Sequence, residues 1–259
     1  MEKQFYPEVG ETLYKGTLSN GLQIIVLPRS GFTKKLCYFV TDFGAIHRQF
    51  TMDGKDYTVP AGIAHYLEHK LFDMPGRDVT EEFAKLGASP NAFTSYDMTA
   101  YYFSCTEHFA ENLSLLLEFV TTPYFTDESV KKEQGIIGQE IDMNRDNPDT
   151  QIFEMLVQNL YNNHPIRVPI AGTVESIQDI TAQTLGISFD PTAALESAWA
   201  IGHDARRNIF ELQQDIEQAK AAPSAFYSVE NSADLTPIDN ILATLEKSAY
   251  RAPSDAYIV

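Results

Sequence analysis

His65-Tyr66-Leu67-Glu68-His69 sets two imidazoles one helical turn apart with a carboxylate just before the second. At about 100° per residue, Glu68 falls about 60° to one side of His65 and His69 about 40° to the other, so the three share one helix face. Two imidazoles at this spacing can bind one metal ion through nitrogen. A carboxylate beside them is placed to take a proton from water at that ion. The bland alternative is a polar helix face with two incidental histidines. Against it stand the apolar neighbours Ile63, Ala64, Leu67 and Leu71: in a largely buried helix, imidazole and carboxylate need a partner or a metal.

A structural zinc takes four protein ligands, whereas a catalytic one takes three and leaves a position for water. One further ligand should therefore lie elsewhere, and the helix expected over residues 127–145 offers Glu133 and Glu140. Seven residues of helix is about 20° short of two full turns, so both carboxylates share a stripe with Ile136 and Ile137, while Lys131, Lys132 and Gln134 turn away. Inward carboxylates need compensation. A divalent ion held by His65 and His69 would supply it, with one glutamate as third ligand and the other behind it. A nearby arginine or lysine paired with a buried glutamate would also serve.

Around these two segments the periodicity predicts a simple order of elements. Thr12–Leu18 and Leu22–Leu27 form a hairpin about Asn20-Gly21, whose residues tolerate the positive φ of a tight turn. Leu36–Phe43 is a third strand, followed by a loop between Gly54 and Pro60. The metal-bearing helix starts at Ala61 and stops at Pro75-Gly76. A short helix capped by Thr80 leads to strands over 91–94 and 99–105. Next come helices over 107–120, over 127–145 from a capping Asp127, one capped by Asp149, and one over 174–180. Beyond Leu185 an alanine-rich tail holds the only tryptophan, Trp199, and amphipathic runs over 193–221 and 238–247. The expected class is α+β: a mixed, mostly antiparallel sheet with helices largely on one face, plus a helical C-terminal tail. Residues 1–185 form the metal-binding domain and 186–259 the tail.

Composition narrows the partners. Nineteen basic against thirty-six acidic residues leave a net charge of −17, which repels phosphate backbones and anionic lipid, so neither nucleic acid nor membrane is expected as partner. The N-terminus lacks the basic and apolar regions of a secretory signal, and no apolar run reaches the ~18 residues of a membrane span. A soluble cytoplasmic protein is expected, with Cys37 and Cys105 as free thiols. His47, His108, His164 and His203 lack ligand spacing and read as ordinary loop or surface residues.

The order H-x-x-E-H is that of an inverted zincin, or inverzincin. GIAHYLEHKLF, then GASPNAFTSYDMTAYYFSC, VKKEQGIIGQEIDMNRDNPD and HPIRVPIAGTVESIQDIT together resemble the insulinase/pitrilysin family of zinc metallopeptidases, closest to its bacterial cytosolic members. The resemblance covers about residues 8–185. It implies that His65, His69 and Glu140 bind Zn2+, that Glu68 is the general base acting on water at the zinc, and that Glu133 supports the site as the outer glutamate. It further implies that Asn91, Ala92, Phe93 and Thr94 border the cleft and add an extended peptide through backbone hydrogen bonds. The implied function is a zinc-dependent endopeptidase acting on short or unfolded polypeptides. Family members continue into a second domain that supplies an arginine and a tyrosine to the substrate, and residues 186–259 carry no matching segment, Arg206 and Arg207 included. A homologous partner subunit or a homodimer is therefore expected to complete the site. The alternative is a non-catalytic, metal-bearing interaction subunit pairing with a larger homologue.

Overall fold

The computed structural model describes residues 2–18, 22–29, 31–52, 54–189 and 257–258. Its strands are β1 (Glu2–Tyr6), β2 (Glu11–Thr17), β3 (Gln23–Val26), β4 (Lys35–Thr41), β5 (Gln49–Met52), β6 (Lys55–Thr58), β7 (Asp73–Met74), β8 (Arg77–Asp78), β9 (Ser89–Thr94), β10 (Thr99–Cys105) and β11 (Tyr257–Ile258). Its helices are α1 (Ile63–Leu71), α2 (Val79–Lys85), α3 (Phe109–Thr121), α4 (Asp127–Arg145), α5 (Pro148–Leu160), α6 (Val174–Gln178) and α7 (Ala182–Phe189), with a 3₁₀ turn at Pro165–Arg167. The class is α+β. The main sheet runs β1-β2-β3-β11-β4-β10-β9, antiparallel except where β11 lies parallel to β3.

Strand alternation decides which sheet face is covered. On β4 and β10 the side chains of Cys37, Phe39, Tyr101, Phe103 and Cys105 are buried with Leu113, Leu116 and Val120 of α3 and Phe83 of α2. Both cysteines are unpaired thiols within this core, and burial, with Cys105 adding to it, pushes the Cys37 thiol up to about 12. The opposite face carries half-exposed rings, Tyr38 stacked on Tyr102 at 4.7 Å between centroids. The strand period of two thus sends one set of residues under the helices; of the other set, Tyr38 and Tyr102 keep partial contact with water while Val40 and Ala100 are buried.

A second core joins the elements that matter for the metal-binding motif. Ile63, Tyr66 and Leu67 of α1 pack with Val130, Ile137 and Ile141 of α4, Ile177 of α6 and Leu185 of α7. Tyr66 is fully buried and its hydroxyl donates to the Val130 carbonyl, which fixes the register of α1 on α4. The start of α1 is clamped as well. Gly62 has φ +89° and a Cβ there would lie 2.4 Å from the Ala171 carbonyl oxygen, while Gly172, at φ +75°, approaches the Ala61 carbonyl equally closely. Ser176 donates to that same Ala61 oxygen at 2.9 Å. Gly62→Ala is therefore expected to destabilise the chain by roughly 1–3 kcal/mol from backbone strain alone, seen as a melting temperature lower by several degrees. An unchanged melt would contradict the clamp.

Several local expectations are corrected. The stretch from 49 to 58, expected to include a loop after Gly54, forms the β5–β6 hairpin with Gly54 at its turn at φ +70°. β1, β7, β8, β11 and α7 go beyond the elements that periodicity predicts: a short strand of exposed residues, strands of two residues and a helix of eight give weak periodic signals. Helix α2 is capped by Asp78 rather than Thr80, α4 by Thr126 rather than Asp127, and α5 by Asn147 ahead of Pro148 rather than by Asp149. Adjacent polar residues compete for a cap, and backbone geometry selects the one still in the extended region. The Asn20-Gly21 turn, Trp199, His203, Arg206, Arg207 and the runs 193–221 and 238–247 lie outside the described residues.

Candidate metal centre

Helix α1 projects His65 and His69 toward α4, and α4 returns Glu140. The ligand atoms of these three residues lie within 4.8 Å of one another. His65 Nε2 is 3.4 Å from Glu140 Oε1 and His69 Nε2 is 3.4 Å from Glu140 Oε2, so one carboxylate is shared between two imidazole nitrogens. Glu133 stands on the far side of His69, where Nδ1 donates to its Oε1 at 2.9 Å. In the neutral ring that hydrogen bond places the proton on Nδ1 and frees Nε2 for a metal ion at the shared point.

The electrostatics agree with a cation at this point. Burial pulls His69 toward the neutral form, but hydrogen bonds and charge from Glu133 and Glu140 outweigh it and raise its pKa to about 9. Hydrogen bonds from His65 and His69 hold the Glu140 carboxyl well below the usual carboxylate range, against the opposing effect of burial. Two nitrogens and a carboxylate oxygen are the donor set that zinc takes at catalytic sites, and the residues present fit that ion.

The α4 stripe differs from its sequence reading in detail. Ile137 is fully buried, whereas Ile136 is 48% exposed. Gln134 turns inward rather than away, and its Nε2 donates at 3.2 Å to the Ile177 and Ile180 carbonyls. These bonds tie α4 to the segment containing α6. The buried stripe is Val130, Ile137 and Ile141, with Glu133 and Glu140 along its margin.

Glu68 lies beside the centre and not within it. Its Oε2 accepts a hydrogen bond from Thr94 Oγ1 at 2.6 Å. His65, Glu68, Glu140, Ala92, Phe93 and Thr94 border one cleft of about 700 Å³. Its far wall comes from α5 and the loop before α6, including Phe153, Glu154 and Ala171. Tyr96 and Phe153 meet across it with centroids 6.4 Å apart. Of the four β9 residues singled out in the sequence, Ala92, Phe93 and Thr94 line the cleft, and Asn91 instead turns its Oδ1 onto the Ala92 amide at 2.8 Å. The α5 wall carried no sequence signal, because Phe153 and Glu154 sit among apolar residues that read as an ordinary helix. Of the remaining histidines, His47 accepts from the Gly44 amide and His164 caps the 3₁₀ turn. His108 precedes α3 at φ +53°.

Residues 55–174 match the model of the insulinase family, peptidase family M16. An uncharacterized zinc protease of Bacillus subtilis, YmfH, is 50% identical over 182 residues, a stretch that covers 70% of this chain and 42% of that protein. The crystal structure of a putative M16-like peptidase from Alicyclobacillus acidocaldarius superposes with a TM-score of 0.69 at 42% identity, covering 73% of this chain and 44% of that one. An M16 inactive domain from Pseudomonas fluorescens shares the fold, with a TM-score of 0.58 at 20% identity over 68% of this chain and 42% of that one. The fold therefore does not by itself decide catalysis, and the side chains at the centre must. The chain spans less than half the length of these relatives. Its N-terminal part, with the H-x-x-E-H helix at its centre, belongs to the insulinase family, peptidase family M16.

Proposed function

We propose that the chain is a zinc-dependent endopeptidase that hydrolyses peptide bonds in short or unfolded polypeptides. The observation that carries the reading is a potential base, Glu68, bordering the same cleft as His65 and Glu140, two of the three convergent donors completed by His69. Those three residues would hold the ion, and Glu133 would keep His69 in the tautomer that binds it. A bound zinc supplies Lewis acidity, lowering the pKa of water toward ~7 and polarising a peptide carbonyl. Glu68 accepts the proton of the attacking water at its carboxylate and passes it to the leaving amine. Among the described residues β9 is the last strand of its sheet, so its outer edge can pair with an extended peptide at Asn91–Thr94 through backbone hydrogen bonds.

The same reading assigns the zinc domain to residues 1–185 and the tail to 186–259, with two corrections: α7 runs across that boundary, and the tail is not helical throughout, since its Tyr257–Ile258 returns to the main sheet as β11. It places the protein in the cytoplasm, which the buried unpaired thiols Cys37 and Cys105 support. Among the described residues no helix is long and apolar enough to cross a membrane.

A second reading, a metal-bearing interaction subunit that pairs with a homologous polypeptide, is favoured by one surface. Helix α5 presents Ile152, Met155, Leu156 and Leu160 to solvent, each more than half exposed, and exposed apolar side chains grouped on one element are a feature of interaction sites. Cleavage of a quenched peptide library by the zinc-loaded chain, with its mass measured by size exclusion, separates the two. Hydrolysis supports the peptidase. A zinc-loaded, inactive monomer would contradict it.

A further inference from the structure

Glu68 has a polar neighbour whose role follows from its place in the fold. Thr94 is the last residue of β9 and pairs with Thr99 of β10. Ala92 and Thr94 alternate with the exposed Asn91 and Phe93, so they lie on the less exposed side of the strand, and the Thr94 hydroxyl donates to Glu68 at 2.6 Å. The turn that follows is braced twice. The Ser95 amide donates to the Met98 carbonyl at 2.7 Å, and the Ala45 and Ile46 amides donate to the Ser95 and Tyr96 carbonyls at 3.1 and 2.9 Å. Gly44 permits this approach, because a Cβ there would lie 2.5 Å from the Met98 nitrogen. Thr94 thus stands on a rigid mount, whereas Glu68 is a three-torsion side chain on a helix and half exposed. Left to itself, such a side chain samples several rotamers.

We propose that Thr94 is a positioning residue for Glu68, holding its carboxylate toward the metal centre from the strand onto which a peptide would dock. This rests on the peptidase reading for its consequence in turnover, but not for its geometry. A hydroxyl donor to an anionic acceptor fixes both the rotamer and the acceptor oxygen, leaving the other Glu68 oxygen free to face the cleft. Because donor and docking edge belong to the same strand, the base is held in a fixed relation to a peptide docked there. Removing the donor should lower the rate of the chemical step more than it weakens peptide binding.

The test uses the full chain loaded with zinc, as Thr94→Val, which keeps the shape and deletes the hydroxyl, and Thr94→Ser, which keeps the hydroxyl. For Thr94→Val the expected results are zinc content equal to the parent, kcat lower by about 10- to 100-fold and KM within about twofold. Thr94→Ser should recover kcat to within about threefold. Crystal structures of the two variants supply a readout independent of activity: Glu68 should leave its position in Thr94→Val and keep it in Thr94→Ser. An unmoved Glu68 in Thr94→Val, or equal effects of valine and serine, would overturn the inference. Absence of hydrolysis by the parent chain would instead overturn the peptidase reading, and the crystallographic comparison would still decide the role of Thr94.

Discussion

Glu68→Gln in the zinc-loaded chain is expected to cut peptide hydrolysis by about 10²- to 10⁴-fold, the usual contribution of a positioned general base, with zinc content unchanged. The amide keeps the size of the carboxylate and can still accept from Thr94 Oγ1 through its oxygen. What it loses is the capacity to take a proton. Glu68 is not among the three residues whose ligand atoms converge, so the ion should stay. Initial rates on a quenched peptide and elemental analysis of the same preparation check both halves. Undiminished turnover in a zinc-loaded Glu68→Gln protein would remove Glu68 from the base role. Joint loss of zinc and activity would place it among the ligands.

The second large effect separates the two glutamates of α4. Glu140 offers both carboxylate oxygens to His65 and His69 at 3.4 Å, so Glu140→Gln removes the negative donor from the shared point. Glu133 touches only the back of His69, through Nδ1, so Glu133→Ala loosens a ligand without deleting one. Outer partners of this kind typically contribute about 10- to 100-fold in metal affinity. Glu133→Ala should fall in that range, and Glu140→Gln should lose more than about 100-fold and emerge from dialysis nearly zinc-free. Competition with a chromogenic chelator measures both. Equal losses, or a larger one at Glu133, would reverse the assigned roles.

How far the sequence reaches differs between the two helices. In α1 the reading was local: His65, Glu68 and His69 fall within five residues, and helical rotation alone puts them on one face. In α4 the seven-residue spacing brought Glu133 and Glu140 together, but Ile136 turned out exposed and Gln134 inward. Helical phase gives relative angles and leaves open which neighbour a face meets. The bonds that set that phase are long-range, Tyr66 to Val130 and Gln134 to the Ile177 and Ile180 carbonyls, and pairs so far apart in the chain leave no periodic trace. The same holds for the Ala61–Gly62 and Ala171–Gly172 approach and for Thr94 on Glu68. β9 and β10 are readable because their strand pattern is bounded by turn residues, whereas β5 and β6 are only four residues each, and β6 falls between Gly54 and Pro60, which read as the brackets of a loop.

The central claim is that a divalent ion joins α1 to α4 through His65, His69 and Glu140. Anomalous diffraction at the zinc edge, from crystals of the full chain grown with stoichiometric zinc, tests it most directly. The expected result is one strong peak about 2.0–2.2 Å from His65 Nε2, His69 Nε2 and a Glu140 oxygen, with Glu133 bonded only to His69 Nδ1. A peak elsewhere, or none among these residues in a crystal that holds zinc, would contradict the claim.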